Sequence, residues 1–384
     1  MSSNFTIRQI FADHWSEFTS QYSNIRDVVY QEVDKMISCG DPKMGYAFYR
    51  CPDCGKYRFL PFRCHSRFCN SCGITYQQDR TASIARKMLD CRHRHIVFTI
   101  PESLRPYFRI DRRLLNCLFR AAAQVILHHF YKQNKSRHFR PGIVCALHTF
   151  GRDLKWNPHI HMLVTEYGID KDGKGRAFRF FPYDFLRKAW MKVLLDYMLK
   201  ALDPSLIRPS DFKRYKNRIY NIQGENGFYV HGPSSPFNSP DAVARYITRY
   251  IGRPVMAQSR ITGYDGRNVS YWYQRHEDNQ IVNETESALE FIEKLIIHIP
   301  DRGFNMLRYY GVYAQPYSRK SPVRRMMSTC QQQMQVVKRK WRHRIISSFG
   351  RDPLLCQCGA IMEFIDTYNP CNPTKAPPFM LDSA

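Results

Sequence analysis

Helical spacing of apolar residues dominates the beginning of the chain. Over residues 5–37, apolar positions recur three or four apart, for example at Ile7, Ile10 and Phe11 and again at Val29 and Val33. The segment 39–42 then reads Cys-Gly-Asp-Pro, and glycine and proline both disfavour continuation of a helix. Residues 1–38 are therefore predicted to form an N-terminal helical arm.

From His95 onward, strand patterns and helix patterns alternate without a βαβ repeat. Short apolar runs bounded by turn residues predict strands near 96–100, 142–149, 159–165, 228–230 and 269–274. Helical spacing predicts helices over about 112–132, 183–200, 241–250 and 287–298. The loop 151–158 can join the strands 142–149 and 159–165 as an antiparallel hairpin. The expected fold class is therefore α+β, with an antiparallel sheet flanked by helices.

The charge balance indicates that the protein binds a polyanion. The 384 residues include 58 Lys and Arg against 33 Asp and Glu, a net charge of +25. These basic residues are spread along the chain among 24 Tyr and 25 Phe, which favours nucleic acid over an acidic membrane surface. Residues 302–351 contain no acidic residue, and the range 269–384 is predicted to be a basic DNA-binding region. Its candidate phosphate contacts are Arg324, Arg325, Lys338 and Lys340, the alternative being a solvated basic face.

No segment reaches the roughly 18 uncharged apolar residues of a membrane span. The first 13 residues carry charges of both signs and lack the apolar core of a secretory signal. We therefore expect an intracellular protein without a membrane partner, in the cytoplasm and associated with the nucleoid. In such a protein, 13 clustered cysteines indicate metal ligation rather than disulfides.

Two Cys-x-x-Cys-Gly knuckles predict a structural zinc site within a module of residues 39–92. Cys51 and Cys54 form the first pair, Cys69 and Cys72 the second, and 14 residues separate the pairs. Four thiolates give a closed tetrahedral site, whereas free buried thiols are the alternative. The surplus candidates could exchange with these ligands, hold a second ion or pack in the core; they are Cys39, Cys64 and His65.

A second candidate metal site lies on the strand Asn157 to Val164. Because successive side chains of a strand point to opposite faces, His159 and His161 project from the same face, close enough to share one ion. Ordinary strand histidines are the alternative. A third ligand is needed, and His148 on the partner strand is preferred. Glu166 is the other option, but alternation from His161 puts it on the opposite face.

Tyr246 and Tyr250 are four residues apart, on one face of the predicted short helix. Such pairs often serve only as packing, yet Arg245, Arg249 and Arg253 interleave with them and could hold phosphate beside each phenol. A phenol can attack phosphorus and form a covalent phosphotyrosine when a metal polarises the phosphate. The histidine strand could therefore supply the metal ion that the tyrosines of the helix need for this reaction.

Over nearly its whole length the chain resembles the rolling-circle insertion-sequence transposases of the IS91 family, two-tyrosine members of the HUH endonuclease superfamily. The matching segments are, in chain order, the Cys-x-x-Cys/Cys-His-x-x-x-Cys-x-x-Cys module, 97–101, 148–151, 157–161, 245–253, 300–304 and 308–311. Two departures stand out. Asn157 replaces a common histidine, and Cys356-Gln-Cys358-Gly is one residue short of a CPxCG knuckle, which puts a second zinc there in doubt.

The resemblance implies an HUH nuclease domain over 93–268 that cleaves and rejoins single-stranded DNA at transposon ends. It implies that His159 and His161 hold magnesium or manganese, and that Tyr246 and Tyr250 are the nucleophiles. A plasmid relaxase or replication initiator with the same chemistry is the alternative within this class. A non-catalytic zinc-dependent DNA-binding protein is the alternative outside it. Target sequence, host and oligomeric state stay open.

Overall fold

The computed structural model describes residues 5–85, 87–233, 237, 242, 246, 254–275, 278–314 and 341–370. In these ranges the α-helices are α1 (Ile7–Gln21), α2 (Asp27–Ile37), α3 (Asn70–Ala85), α4 (Arg105–Ile110), α5 (Leu115–Gln133), α6 (Tyr183–Ala201), α7 (Pro209–Gln223), α8 (Ala288–Ile296) and α9 (Trp341–Phe349). The strands are β1 (Tyr46–Arg50), β2 (Tyr57–Pro61), β3 (His93–Phe98), β4 (Arg140–Phe150), β5 (Trp156–Ile169), β6 (Gly175–Ala177), β7 (Val230–His231), β8 (Ile261–Tyr264), β9 (Asn268–Gln274), β10 (Ile281–Ser287), β11 (Leu307–Gly311) and β12 (Glu363–Tyr368).

The expected α+β class is confirmed, because helices accompany sheets in which every recorded strand pair is antiparallel. The chain divides into two units that both combine separated segments. One comprises 1–79, 252–302 and 336–384, and the other comprises 80–251 and 303–335. The ranges expected from the sequence, 1–38, 39–92, 93–268 and 269–384, are consecutive and do not coincide with these units. None of the described helices is long and apolar enough to cross a membrane.

The second unit is built on a sheet with the strand order β11-β4-β5-β3-β7, and β6 extends it beside β5. The predicted hairpin is present as β4 and β5, in a register that pairs His148 with His159. Apolar side chains of β3, β4 and β5, among them Ile143, Ile160 and Met162, pack into one core with α5 and α6. Helices therefore cover this face, and alternation turns His159 and His161 to the other face.

The first unit contains the helical arm and two three-stranded sheets, β12-β1-β2 and β10-β9-β8. Five apolar side chains of α1 are buried, including Phe11 and Phe18, and α1 packs against α2 and α8. The arm is tied further by Arg26, which donates to the carbonyl of Ile299 at 2.7 Å and pairs with Asp301. The arm is therefore part of a packed unit.

Part of the region expected to be a basic C-terminal module belongs to these sheets instead. β11 pairs with β4 from Leu307↔Ala146 to Gly311↔Gly142, and β12 pairs with β1. α7 is not among the helices predicted from the sequence, and it begins with Pro209 in its first turn. There proline removes only an N–H that has no helical partner.

Candidate active site and metal centres

Three histidines converge on the face of the second unit's sheet that α5 and α6 leave uncovered. His148 lies on β4, His159 and His161 lie on β5, and their ring nitrogens all lie within 4.8 Å of one another. His148 Nδ1 is 3.3 Å from His159 Nε2, which is 3.1 Å from His161 Nε2. The structure thus brings together the two histidines of the strand motif and the preferred third candidate.

The hydrogen bonds of the remaining ring nitrogens fit a metal centre. His159 Nδ1 lies 2.6 Å from the carbonyl of Asn157, which can only accept, so Nδ1 carries the proton and Nε2 keeps its lone pair. His161 Nδ1 lies 3.0 Å from His95 Nε2. Metal-binding histidines are normally oriented by such contacts of the second nitrogen. A backbone carbonyl does this for His159, and it is present whatever the side chain at position 157.

Burial keeps the imidazoles of His159 and His161 neutral. It lowers the pKa of His159 to about 4, against a smaller opposing effect of the Asn157 carbonyl. Burial, and then the charges that neighbouring imidazoles would carry, holds the pKa of His161 well below its usual value. A neutral imidazole offers its lone pair, so the site suits a divalent cation at neutral pH. Because imidazoles suit zinc or manganese better than magnesium, the ligands alone do not select the metal.

Glu166 does not belong to this cluster. Its carboxylate accepts from Arg94 Nε at 2.7 Å and lies 3.3 Å from Arg92 Nε. The carboxylate is almost fully buried and compensated by these two guanidinium groups. The preference for His148 over Glu166 as third ligand therefore agrees with the observed geometry.

Tyr246 lies beside the histidine cluster. Its hydroxyl oxygen is 3.3 Å from Nδ1 of His95, and the two rings meet edge to face at a centroid distance of 4.7 Å. His95 in turn lies 3.0 Å from His161, so one imidazole separates the phenol from a candidate metal ligand. His95 was not predicted as a site residue, because it precedes the strand predicted near 96–100, although His93-Arg94-His95 repeats the His-x-His spacing of β5.

Several predicted site residues lie outside the described part of the chain. They are Tyr250, Arg245, Arg249, Arg253, Arg324, Arg325, Lys338 and Lys340. Of the predicted helix 241–250, positions 242 and 246 are described, and both are helical. The roles of the others stay predictions.

The predicted four-cysteine site is corrected, because its two knuckles belong to different clusters. The first cysteine cluster consists of Cys39, Cys64, Cys69 and Cys72. Its Cys72 sulfur lies 3.6 Å from both Cys39 and Cys64. Hydrogen bonds from the other three thiols hold the pKa of Cys39 well below its usual value. Cys39 and Cys64 are thus members of a cluster, whereas His65 is exposed and belongs to none of the clusters found among the described residues.

The second cysteine cluster joins Cys51 and Cys54 to Cys356 and Cys358. Sulfur separations are 3.4 Å for Cys51 and Cys358 and 3.6 Å for Cys54 and Cys356. A tetrahedron with zinc–sulfur bonds of about 2.3 Å has edges of about 3.8 Å, so both clusters have the size of a zinc site. The sulfur–sulfur distances are far too long for disulfides, in which the sulfurs lie about 2.05 Å apart.

The late knuckle, Cys356-Gln-Cys358-Gly, is one residue shorter than the early knuckle, Cys51-x-x-Cys54-Gly, and closes with a tighter turn. In the early knuckle the Cys51 amide donates to the carbonyl of Lys56, five residues on. In the late knuckle the Cys356 amide donates to Ala360, four residues on, and Gly359 has a positive φ of 93°. The amide of Cys358 is the main cause that lowers the pKa of Cys356 to about 6. A thiolate is the form that binds metal, so Cys356 of this knuckle is suited to be a ligand.

Comparisons with known proteins identify the family of the chain. A family described as "Transposase zinc-binding domain" matches residues 10–100, which include the cysteines of the first cluster. A family described as "Putative transposase" matches residues 142–321, which include His148, His159 and His161. The transposase for insertion sequence element IS801 of Pseudomonas savastanoi pv. phaseolicola is 32% identical over 322 residues, 81% of this chain and 75% of that protein. The chain belongs to the IS91 family of insertion-sequence transposases.

A more distant relative of this IS91-family chain is "Putative transposase y4qJ" of Sinorhizobium fredii (strain NBRC 101917 / NGR234). It is 25% identical over 323 residues, 81% of each chain. No solved structure matches the chain. A transposase acts on DNA and cuts it, so the family identifies the protein as a DNA-cleaving enzyme with a zinc-binding domain.

Proposed function

We propose that this transposase cleaves and rejoins single-stranded DNA at transposon ends through 5′-phosphotyrosine intermediates, in rolling-circle transposition by an HUH nuclease domain. The observation that carries the proposal is the position of Tyr246. Its hydroxyl oxygen lies 3.3 Å from His95, which contacts the three-histidine cluster through His161. A nucleophile and a candidate metal centre therefore share one face of the sheet.

His148, His159 and His161 would hold a magnesium or manganese ion. When bound, the ion supplies polarisation of the scissile phosphate and stabilisation of the leaving oxygen. The oxygen of Tyr246 attacks phosphorus, and the new O–P bond replaces the bond from phosphorus to the 3′ oxygen. The phenol loses its proton and the 3′ oxygen gains one, so a free 3′ hydroxyl and a 5′-phosphotyrosine result.

Tyr250, one turn further along the predicted helix, would be the second nucleophile. Each phosphotyrosine conserves the phosphodiester bond, so a released 3′ hydroxyl can attack it without an external energy source. Two tyrosines thus permit two successive transfers, one for each strand that must be cut. Arg245, Arg249 and Arg253 would hold the phosphates beside them, and Arg324, Arg325, Lys338 and Lys340 would bind more distant phosphates of the strand.

Covalent trapping tests this function. Purified protein is incubated with manganese and single-stranded oligonucleotides that span each end of the element carrying the gene. We expect a protein–DNA adduct that withstands denaturing electrophoresis and a 5′ phosphate mapped by mass spectrometry to Tyr246 or Tyr250. The matched control is the same sequence as a duplex, which we expect to react poorly. Strand cleavage without any adduct would contradict the phosphotyrosine mechanism.

We also propose that each cysteine cluster binds one structural zinc ion. Metal analysis of the purified protein should then give two zinc ions per chain. Cys358→Ser removes one ligand of the second cluster, so we expect about one zinc to remain and the free energy of unfolding to fall, because structural zinc binding contributes directly to folding.

Cys91→Ser is the matched control, since Cys91 belongs to neither cluster, and it should keep both ions. A single site built from Cys51, Cys54, Cys69 and Cys72 predicts one zinc in the native protein and no loss in Cys358→Ser. That pair of results would rule out the two-ion arrangement.

A further inference from the structure

One buried imidazole links the candidate metal centre to the candidate nucleophile. His95 lies on β3 with its side chain 3% exposed, and each of its ring nitrogens has a different partner. Nε2 lies 3.0 Å from Nδ1 of His161, and Nδ1 lies 3.3 Å from the hydroxyl oxygen of Tyr246. The centroids of the two imidazoles are 5.2 Å apart and their planes are inclined by 10°, which fits a contact between ring edges.

The β-sheet register fixes this arrangement. Val97 of β3 is paired with His161 of β5, and residues two apart on a strand point to the same face. His95 therefore projects from the same face as His161. The main chain behind His95 is also enclosed, because a Cβ atom at Gly232 would lie 2.6 Å from the His95 carbonyl oxygen. His95 is held in place by its strand and by its neighbours.

The directions of the two hydrogen bonds follow from the chemistry of imidazole. If His161 binds the ion through Nε2, the proton of its neutral ring is on Nδ1, which must donate to His95. Nε2 of His95 then accepts, so the proton of His95 is on Nδ1 and points at Tyr246. A second proton on His95 is excluded, because two N–H groups would face each other. The phenolic oxygen is thus the acceptor of this contact.

We propose that His95 is a catalytic residue that donates its Nδ1–H to the oxygen of Tyr246, in a tautomer imposed by the metal ligand His161. This inference rests on the proposed role of Tyr246 as nucleophile. The donor stabilises the phenolate as it attacks, and stabilises it again when a 3′ hydroxyl displaces the tyrosine from phosphorus. Ion binding and tyrosine alignment are thereby coupled through one side chain.

Two substitutions separate the two contacts of His95. The amide nitrogen of asparagine lies close to the position of Nδ1, so His95→Asn keeps a donor for Tyr246 and loses the contact to His161. The amide of glutamine reaches the position of Nε2, so His95→Gln keeps an acceptor for His161 and loses the donor. A hydrogen bond to a charged group is strong enough that we expect adduct formation to slow about 10- to 100-fold in His95→Gln and much less in His95→Asn.

A readout independent of activity is the tautomer itself. In the magnesium-loaded protein labelled with nitrogen-15 in histidine, the His95 resonances are assigned by their loss in His95→Asn. We expect the proton on Nδ1, with a resonance that shifts in Tyr246→Phe. His129→Gln is the control, because His129 is likewise buried but contacts the carbonyl of Phe180. It should change neither the His95 resonances nor the rate of adduct formation.

A proton on Nε2 of His95 would overturn the proposal, whatever the activity. Equal rates of adduct formation in His95→Asn and His95→Gln, with wild-type melting temperatures, would also overturn it, because packing alone would then explain the contact. If the wild-type protein forms no adduct on end oligonucleotides, the function of Tyr246 fails, and the role of His95 in attack fails with it. In that case the tautomer measurement still reports the hydrogen bond separately.

Discussion

Replacement of both Tyr246 and Tyr250 by phenylalanine is expected to abolish the covalent protein–DNA adduct. Phenylalanine keeps the ring and its packing but lacks the oxygen that attacks phosphorus, so fold and DNA affinity should change little. The measurement is adduct formation on single-stranded end oligonucleotides, followed by denaturing electrophoresis. Each single variant should keep some first-strand cleavage and lose most transposition in cells, because complete transposition needs two transfers.

Tyr131→Phe is the matched control, since Tyr131 is a partly exposed tyrosine of α5. It should form the adduct at the wild-type rate. If Tyr246 and Tyr250 only pack in the core, the double variant and both of its single variants should behave like the wild type. An adduct that persists in the double variant, mapped to another residue, would show that the nucleophile lies elsewhere in the chain.

The second large effect is expected from His161→Ala, which removes one member of the three-histidine cluster. An ion that stabilises the charge of the transition state contributes several kcal/mol, so we expect a loss of about 1,000-fold in the cleavage rate. Binding of single-stranded DNA, measured by fluorescence anisotropy, should stay near the wild-type affinity. EDTA should inactivate the wild-type protein in the same way, and manganese should restore it.

His129→Gln is again the matched control, because His129 is a buried histidine outside the cluster. This variant should keep normal cleavage. His148→Ala should have a weaker effect than His161→Ala, because water can fill one position of an incomplete ligand set. Normal cleavage in His161→Ala, or full activity of the wild type in EDTA, would be incompatible with a metal-dependent reaction at these histidines.

Periodicity was enough to predict the local arrangement of the site. Alternation along β5 put His159 and His161 on one face and Ile160 on the other, and the structure has Ile160 in the core. The loop 151–158 was expected to close an antiparallel hairpin with His148 on the partner strand, and in the structure His148 pairs with His159. These relations depend on residues close together in the sequence, where backbone geometry alone sets the direction of each side chain.

Sequence spacing identified the cysteines as metal ligands but paired them wrongly. Cys54 and Cys356 are 302 positions apart and meet at 3.6 Å. Spacing predicts a zinc site when both knuckles lie in one short segment. It carries no information about a second knuckle that lies far away in the sequence. β12 brings the late knuckle to the early one by pairing with β1.

The sequence by itself determined the class of the fold, the binding of zinc, the DNA substrate and the histidine face of the hairpin, because periodicity, charge and ligand type are properties of local segments. Only the tertiary structure decided which cysteines lie together, that β11 joins β4, and that His95 stands between His161 and Tyr246. Each of these depends on contacts between residues far apart in the chain, and such contacts are selected by the burial of the whole core rather than by any local pattern.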